Sequence, residues 1–211
     1  ITLVIIGIIS AITIPALYAN YTENEKYSKV KKVYSTLANA MTRLRADGGD
    51  MVFEVQDGND DNMKNWYDTY LKNYLVTTHV CYDTQGCWNK GDTKYLRGGN
   101  VYCNATGKGI GSNIITAILN DGTFINIDSY GKGSIWNYFR VNINSEAGLV
   151  VFFDINGQKK PNVTGRDIFA TVFTEEGLVP AYRDATKSEI DSDCSSMGTG
   201  YSCIQKYLKF K

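Results

Sequence analysis

His79 is the only histidine in the chain, so a Ser-His-Asp or Cys-His centre can exist only if it runs through that one ring. Its neighbours Thr77, Thr78 and Cys81 form no recognised catalytic signature. Carboxylates are plentiful, but glycosidase chemistry needs two at a set separation in space, and no spacing singles out a pair. Gly107-Lys108-Gly109-Ile110-Gly111 lacks the spacing and the Lys-Ser/Thr of a Walker A loop. It also lacks the strand and helix that frame a dinucleotide fingerprint, and reads as a flexible turn. Nothing here points to an enzyme.

A second candidate is Asp154-Ile155-Asn156-Gly157-Gln158-Lys159-Lys160-Pro161-Asn162, followed by Gly165, Asp167 and Phe169. Oxygens of Asp154, Asn156 and Asp167 are of the type calcium takes. The order of residues is not that of an EF-hand, and Asn-Gly with Pro suffices to make a turn, so neither a metal nor a cofactor is assigned. The five cysteines, Cys81, Cys87, Cys103, Cys194 and Cys203, contain no C-x-x-C pair. With one histidine, structural zinc has little to draw on. In an exported chain disulfides are the default. The short loops Cys81 to Cys87 and Cys194 to Cys203 are the expected bridges, with Cys103 pairing to Cys81 or Cys87 as the competitor.

The elements that must carry these residues divide the chain in two. Ile1 to Leu17 holds no charged side chain, whereas the remainder holds all 22 Lys and Arg and all 22 Asp and Glu. A bilayer core takes about 20 apolar residues of helix. A membrane span, a secretory signal peptide and a buried core helix compete for this run. No basic n-region is present and Ala16-Leu17-Tyr18-Ala19 is a poor cleavage site, which favours the span. Gly7 and Pro15 weaken the helix between them, Gly7 through backbone freedom and Pro15 by removing an amide donor.

From Tyr18 no break signal appears before Gly48-Gly49. Tyr27, Val30, Val33, Tyr34, Leu37, Ala40, Met41 and Leu44 recur every three or four residues, with Lys26, Lys29, Lys32 and Arg43 largely off that stripe. Residues 1–46 would form a rod of roughly 70 Å. Asp57 to Asn62 reads as a polar loop, Met63 to Leu75 as a short amphipathic helix, and Val80 to Gly111 as an irregular excursion. Ile114 to Leu119 and Thr123 to Asp128 flank Asn120-Asp121-Gly122, a hairpin signal. Trp136 to Ile143 and Gly148 to Phe153 extend the sheet. The second of these is central, because Val150 to Phe153 are apolar in succession. Asp167 to Phe173 is a further strand, Glu175-Glu176-Gly177 turns it into Leu178-Val179-Pro180, and Ile204 to Lys211 is a closing helical turn. The fold class is α+β: a long N-terminal helix, membrane half plus amphipathic half, packed on an antiparallel sheet. Residues 1–17 form one segment and 18–211 one extracytoplasmic domain. Zero net charge argues against a general nucleic-acid binder.

Ile5-Ile6-Gly7-Ile8-Ile9-Ser10-Ala11-Ile12-Thr13-Ile14-Pro15, passing straight into a Tyr/Lys-rich amphipathic helix, resembles the amino-terminal helix of type IV pilins and type II secretion pseudopilins. The D-x-N-G-x-K-x-P-N turn at Asp154 to Asn162 is similar to one found in the same family. The resemblance implies a pilin-like fold and a leader cut by a prepilin peptidase upstream of Ile1. It further implies a structural subunit, stored in the bacterial inner membrane, that assembles into a periplasmic or extracellular helical filament with copies of itself and other pilins. An assembly ATPase and an inner-membrane platform would drive the transfer, and Gly7 and Pro15 would let the rod partly unwind in the filament core. Some members bind calcium near the carboxyl end. The alternative expectation is a singly anchored extracytoplasmic module that binds sugar or peptide through an aromatic-rich surface.

Overall fold

Six strands run in chain order across one antiparallel sheet: β1 (Thr77–Tyr82), β2 (Ile115–Leu119), β3 (Phe124–Gly131), β4 (Ala147–Asp154), β5 (Ile168–Thr174) and β6 (Gly177–Pro180). This computed structural model describes residues 2–47, 60–102 and 107–208, with side chains from Tyr21 in the first stretch and Asn62 in the second. The expected stop at Gly48-Gly49 and the fate of Cys103 lie outside the described residues. So do the side chains of Gly7 and Pro15, although the backbone is helical through both positions.

The long helix, α1 (Thr2–Ala46), is amphipathic in its described half. Val30, Val33, Leu37, Ala40, Met41 and Leu44 are buried, while Lys29, Lys31, Lys32 and Arg43 are exposed, as a single apolar stripe requires. Polar bonds pin that stripe to the edge of the sheet. Tyr34 Oη donates to the Leu178 carbonyl at 2.7 Å, and Arg45 Nη2 donates to the Thr174 carbonyl at 2.9 Å and to that of Glu175. A covering segment follows: α2 (Asp60–Trp66), a π-helical turn (Tyr67–Leu71) and a 3-10 turn (Lys72–Tyr74), with Met63, Trp66, Tyr67, Leu71 and Leu75 buried.

The hairpin at Asn120-Asp121-Gly122 forms as its residues dictate. Ile118 pairs with Phe124, the Leu119 amide donates to the Thr123 carbonyl at 2.8 Å, and Gly122 takes φ +85, a value that costs glycine little. Strand β4 is central and buried from Gly148 to Asp154, and β5 is buried throughout. Alternation sends Phe152 and Phe153 to opposite faces. Phe152 meets Phe139 and Tyr201, with ring centroids 5.8 and 5.5 Å away. Phe153 meets Phe169, which meets Tyr207, and Tyr207 touches Tyr27 of α1.

Three expectations are corrected. Trp136 to Ile143 is not a strand: α3 (Lys132–Phe139) occupies its first half. Its Ile135 and Phe139, one helical turn apart, are the buried pair, while Trp136 and Tyr138 remain exposed; the run is rich in strand-forming types, yet a strand would put the exposed Asn137 on the same face as the buried pair. The excursion expected from Val80 begins inside β1, whose Val80, Cys81 and Tyr82 pair with Ala117, Thr116 and Ile115. The Gly107–Gly111 run is not a flexible turn. Asn126 on β3 accepts from the Ile110 amide at 2.7 Å and donates to its carbonyl at 2.9 Å. A Cβ on Gly109 would overlap Asn126 and one on Gly111 would overlap Asp128, so the glycines permit a clamp of backbone against strand.

Candidate functional site

The turn after β4 brings together Asp154, Asn156 and Asp167, the three residues with calcium-type oxygens. Asp154 ends the central strand with 0% exposure. Its Oδ1 accepts from the amides of Asn156 and Gly157 at 3.0 and 3.1 Å, and its Oδ2 is buried with no hydrogen-bond partner. Asp167, just before β5, folds the rest of the turn around itself. Oδ1 accepts from the Val163 amide at 2.7 Å, and Oδ2 accepts from the Asn162 amide at 2.7 Å and from Asn156 Nδ2 at 3.0 Å. The side-chain oxygens of Asn156 and Asn162 are buried without partners.

A loop from far upstream covers the turn. Gln158 Nε2 donates to the Trp88 carbonyl at 3.4 Å, and the Asn89 side chain bears on the Asp154 carboxyl. Trp88 follows directly on the Cys81–Cys87 bridge, so the staple fixes the lid. Sequence reading missed Asn89 and the free oxygen of Asn162, because neither shows a signal until the chain has folded.

Burial pushes the Asp154 carboxyl up to about 8, against the pull of the Asn156 and Gly157 amides, and the nearby Asp167 charge adds to the rise. Burial raises Asp167 as well, opposed by the amides of Val163 and Asn162 and by the Asn156 side chain. Two buried carboxyls, one with an orphaned oxygen, and the orphaned amide oxygens of Asn156 and Asn162 make the turn acceptor-rich, and an unpaired buried acceptor costs free energy. The donor set fits a hard cation such as calcium, which takes six to eight oxygens and accepts amide as well as carboxylate oxygen. Asp154, Asn156, Asn162 and Asp167 are the residues that would hold it, and its charge would relieve the burial of both carboxylates. Among the described residues no three His, Cys, Asp or Glu side chains group for a metal, so amide oxygens would have to complete the shell.

The other candidates stand apart from this turn. His79 is exposed on β1, an edge strand, opposite Ile118. Cys81 bonds Cys87 and Cys194 bonds Cys203, as expected from the short loops. Among the described residues no helix is long and apolar enough to cross a membrane; the side chains of Ile1 to Leu17 lie outside them.

Compared with known proteins, the chain matches no family model, no curated protein and no solved structure.

Proposed function

We propose that this chain is a pilin-like structural subunit of a type IV pilus or type II secretion pseudopilus that assembles through the leading part of α1. The observation that carries the reading is where α1 first meets the body. Described contacts with the body are made from Glu23, whose carboxylate accepts from Tyr207 Oη at 2.8 Å, and from Tyr27 against the Tyr207 ring, yet the helix starts at Thr2. Residues 2–22 make about 32 Å of helix before those contacts. The part of it up to Leu17 carries no charged side chain and needs an apolar surround, first lipid and then the same stretch of neighbouring copies. The sheet, the disulfides and the covering turns form the filament's outer body in this account, with Gly7 and Pro15 giving the rod freedom to repack.

The test is fractionation of cells that make the full chain. A sheared fibre containing this protein supports the reading, and permanent retention in the membrane fraction contradicts it.

A further inference from the structure

A polar cleft of about 400 Å³ lies between the end of α3, residues 95–99 and α4 (Lys187–Asp193). Its working side chains are Arg97, Arg140, Ser188, Glu189 and Ser192. The walls are preformed. Thr186 caps α4 in a reciprocal box with Glu189. The Cys194–Cys203 bridge closes the helix's other end. Asp193 accepts from the Thr199 amide and hydroxyl at 2.9 and 2.6 Å and from the Ser202 amide at 2.8 Å. The Arg97 amide donates to the Gly198 carbonyl at 3.0 Å, which ties the loop to the same wall.

The two arginines differ. Arg140 has a left-handed backbone (φ 50) at the end of α3, and its guanidinium is largely committed. Nη1 donates to the Trp136 carbonyl at 3.1 Å and Nε lies 3.4 Å from Glu189 Oε1. Arg97 is exposed, rests 5.2 Å from the Tyr95 ring centre, and has no carboxylate partner among the described residues. Ser188 and Ser192, one helical turn apart on α4, are exposed hydroxyls. Beside the rim, Trp136 is 40% exposed, with its ring 5.4 Å from the Arg140 guanidinium.

We propose that this cleft binds a carboxylate-bearing sugar, the acid on Arg97 and the ring hydroxyls on Glu189, Ser188 and Ser192. A guanidinium fork matches a carboxylate in two parallel bonds, and a carboxylate such as Glu189 accepts from hydroxyls. The indole of Trp136 supplies the apolar face against which a sugar ring can lie. Charge balance selects the class. Two arginines face Glu189 and Asp193 in the same cleft, so its formal charge is zero. Arg140 is paired with Glu189, so among the described residues of the cleft Arg97 is the one guanidinium left to match a negative charge; a singly charged, hydroxyl-rich ligand suits it, whereas the second charge of a phosphate dianion would lie beside the acids. The volume is within the range of about 300–1,000 Å³ typical of small-ligand sites.

The experiment titrates the full chain in non-ionic detergent with galacturonic acid, neutral galactose and inorganic phosphate, read by calorimetry. Arg97→Ala and Ser192→Trp are tested beside the parent, with circular dichroism confirming that each is folded. The expected result is at least tenfold preference for the acidic sugar over the neutral one, lost in both variants, with no competition from equimolar phosphate. Equal affinity for the two sugars, no binding of the acidic sugar at millimolar concentration, unchanged binding by Arg97→Ala, or equal competition by phosphate would each overturn the proposal. None of these results depends on whether the chain forms filaments.

Discussion

Asn156 donates its side-chain amide to Asp167 at 3.0 Å while its backbone amide donates to Asp154, so one residue joins two buried carboxyls that have no basic partner among the described residues. That arrangement makes stability depend on pH. The Asp154 carboxyl is raised to about 8 from an unfolded value near 4. The folded state therefore holds a proton that the unfolded state releases. Its stabilising contribution is whole below about pH 4 and is lost as pH rises toward 8, with a slope approaching 1.4 kcal/mol per unit. Asp167 is shifted in the same direction. Thermal melts between pH 4 and 8.5 should show falling stability, and Asp154→Asn should flatten the slope.

Calcium should act on the same turn with the opposite pH preference. Metal binding requires the ionised carboxylate, so millimolar calcium is expected to raise the melting temperature more at pH 8 than at pH 5. Asp154→Asn should abolish most of the rise. Equal shifts in parent and variant would place any calcium elsewhere.

The glycine clamp on β3 predicts a steep cost for the smallest side chain. Gly111→Ala adds a Cβ that overlaps the Asp128 carboxyl, at a residue with φ +111. Gly122→Ala, at φ +85, would meet nothing within 4 Å. Both substitutions strain the backbone, and only the first also overpacks, a difference of about 1–3 kcal/mol. Urea denaturation of the two variants compares them directly.

Phe139 touches Phe152, Tyr130 and Tyr201 and is 1% exposed. Phe139→Ala should cost about 3–5 kcal/mol. Tyr138→Ala, on the neighbouring exposed position of α3, should stay within about 0.5 kcal/mol. Chemical denaturation of the two variants measures both costs.

What the sequence disclosed was local. The stripe from Val30 to Leu44, the Asp121-Gly122 hairpin and the apolar run of β4 each carry their signal within a few residues. Thr186 and Glu189 carried one too, as the T-x-x-E of a capping box, and α4 went unread because its body is almost wholly polar. Segment 132–139 misled because Trp, Tyr and Phe are strand-forming types, and the register of Ile135 and Phe139 against Phe152 is tertiary information. In the acidic turn, Asp154, Asn156 and Asp167 were legible as oxygen donors. The burial of Asp154 and Asn156 with an oxygen unpartnered on each was not, because it depends on the lid of Trp88 and Asn89 arriving from across the fold.

The filament account stands on the leading part of α1, and removing that part tests it most directly. Residues 20–211 retain every described buried residue of the core, so the shortened chain should fold. Light scattering at increasing concentration is expected to report a monomer, with no fibres by electron microscopy. Filaments built by the shortened chain would contradict assembly through the helix.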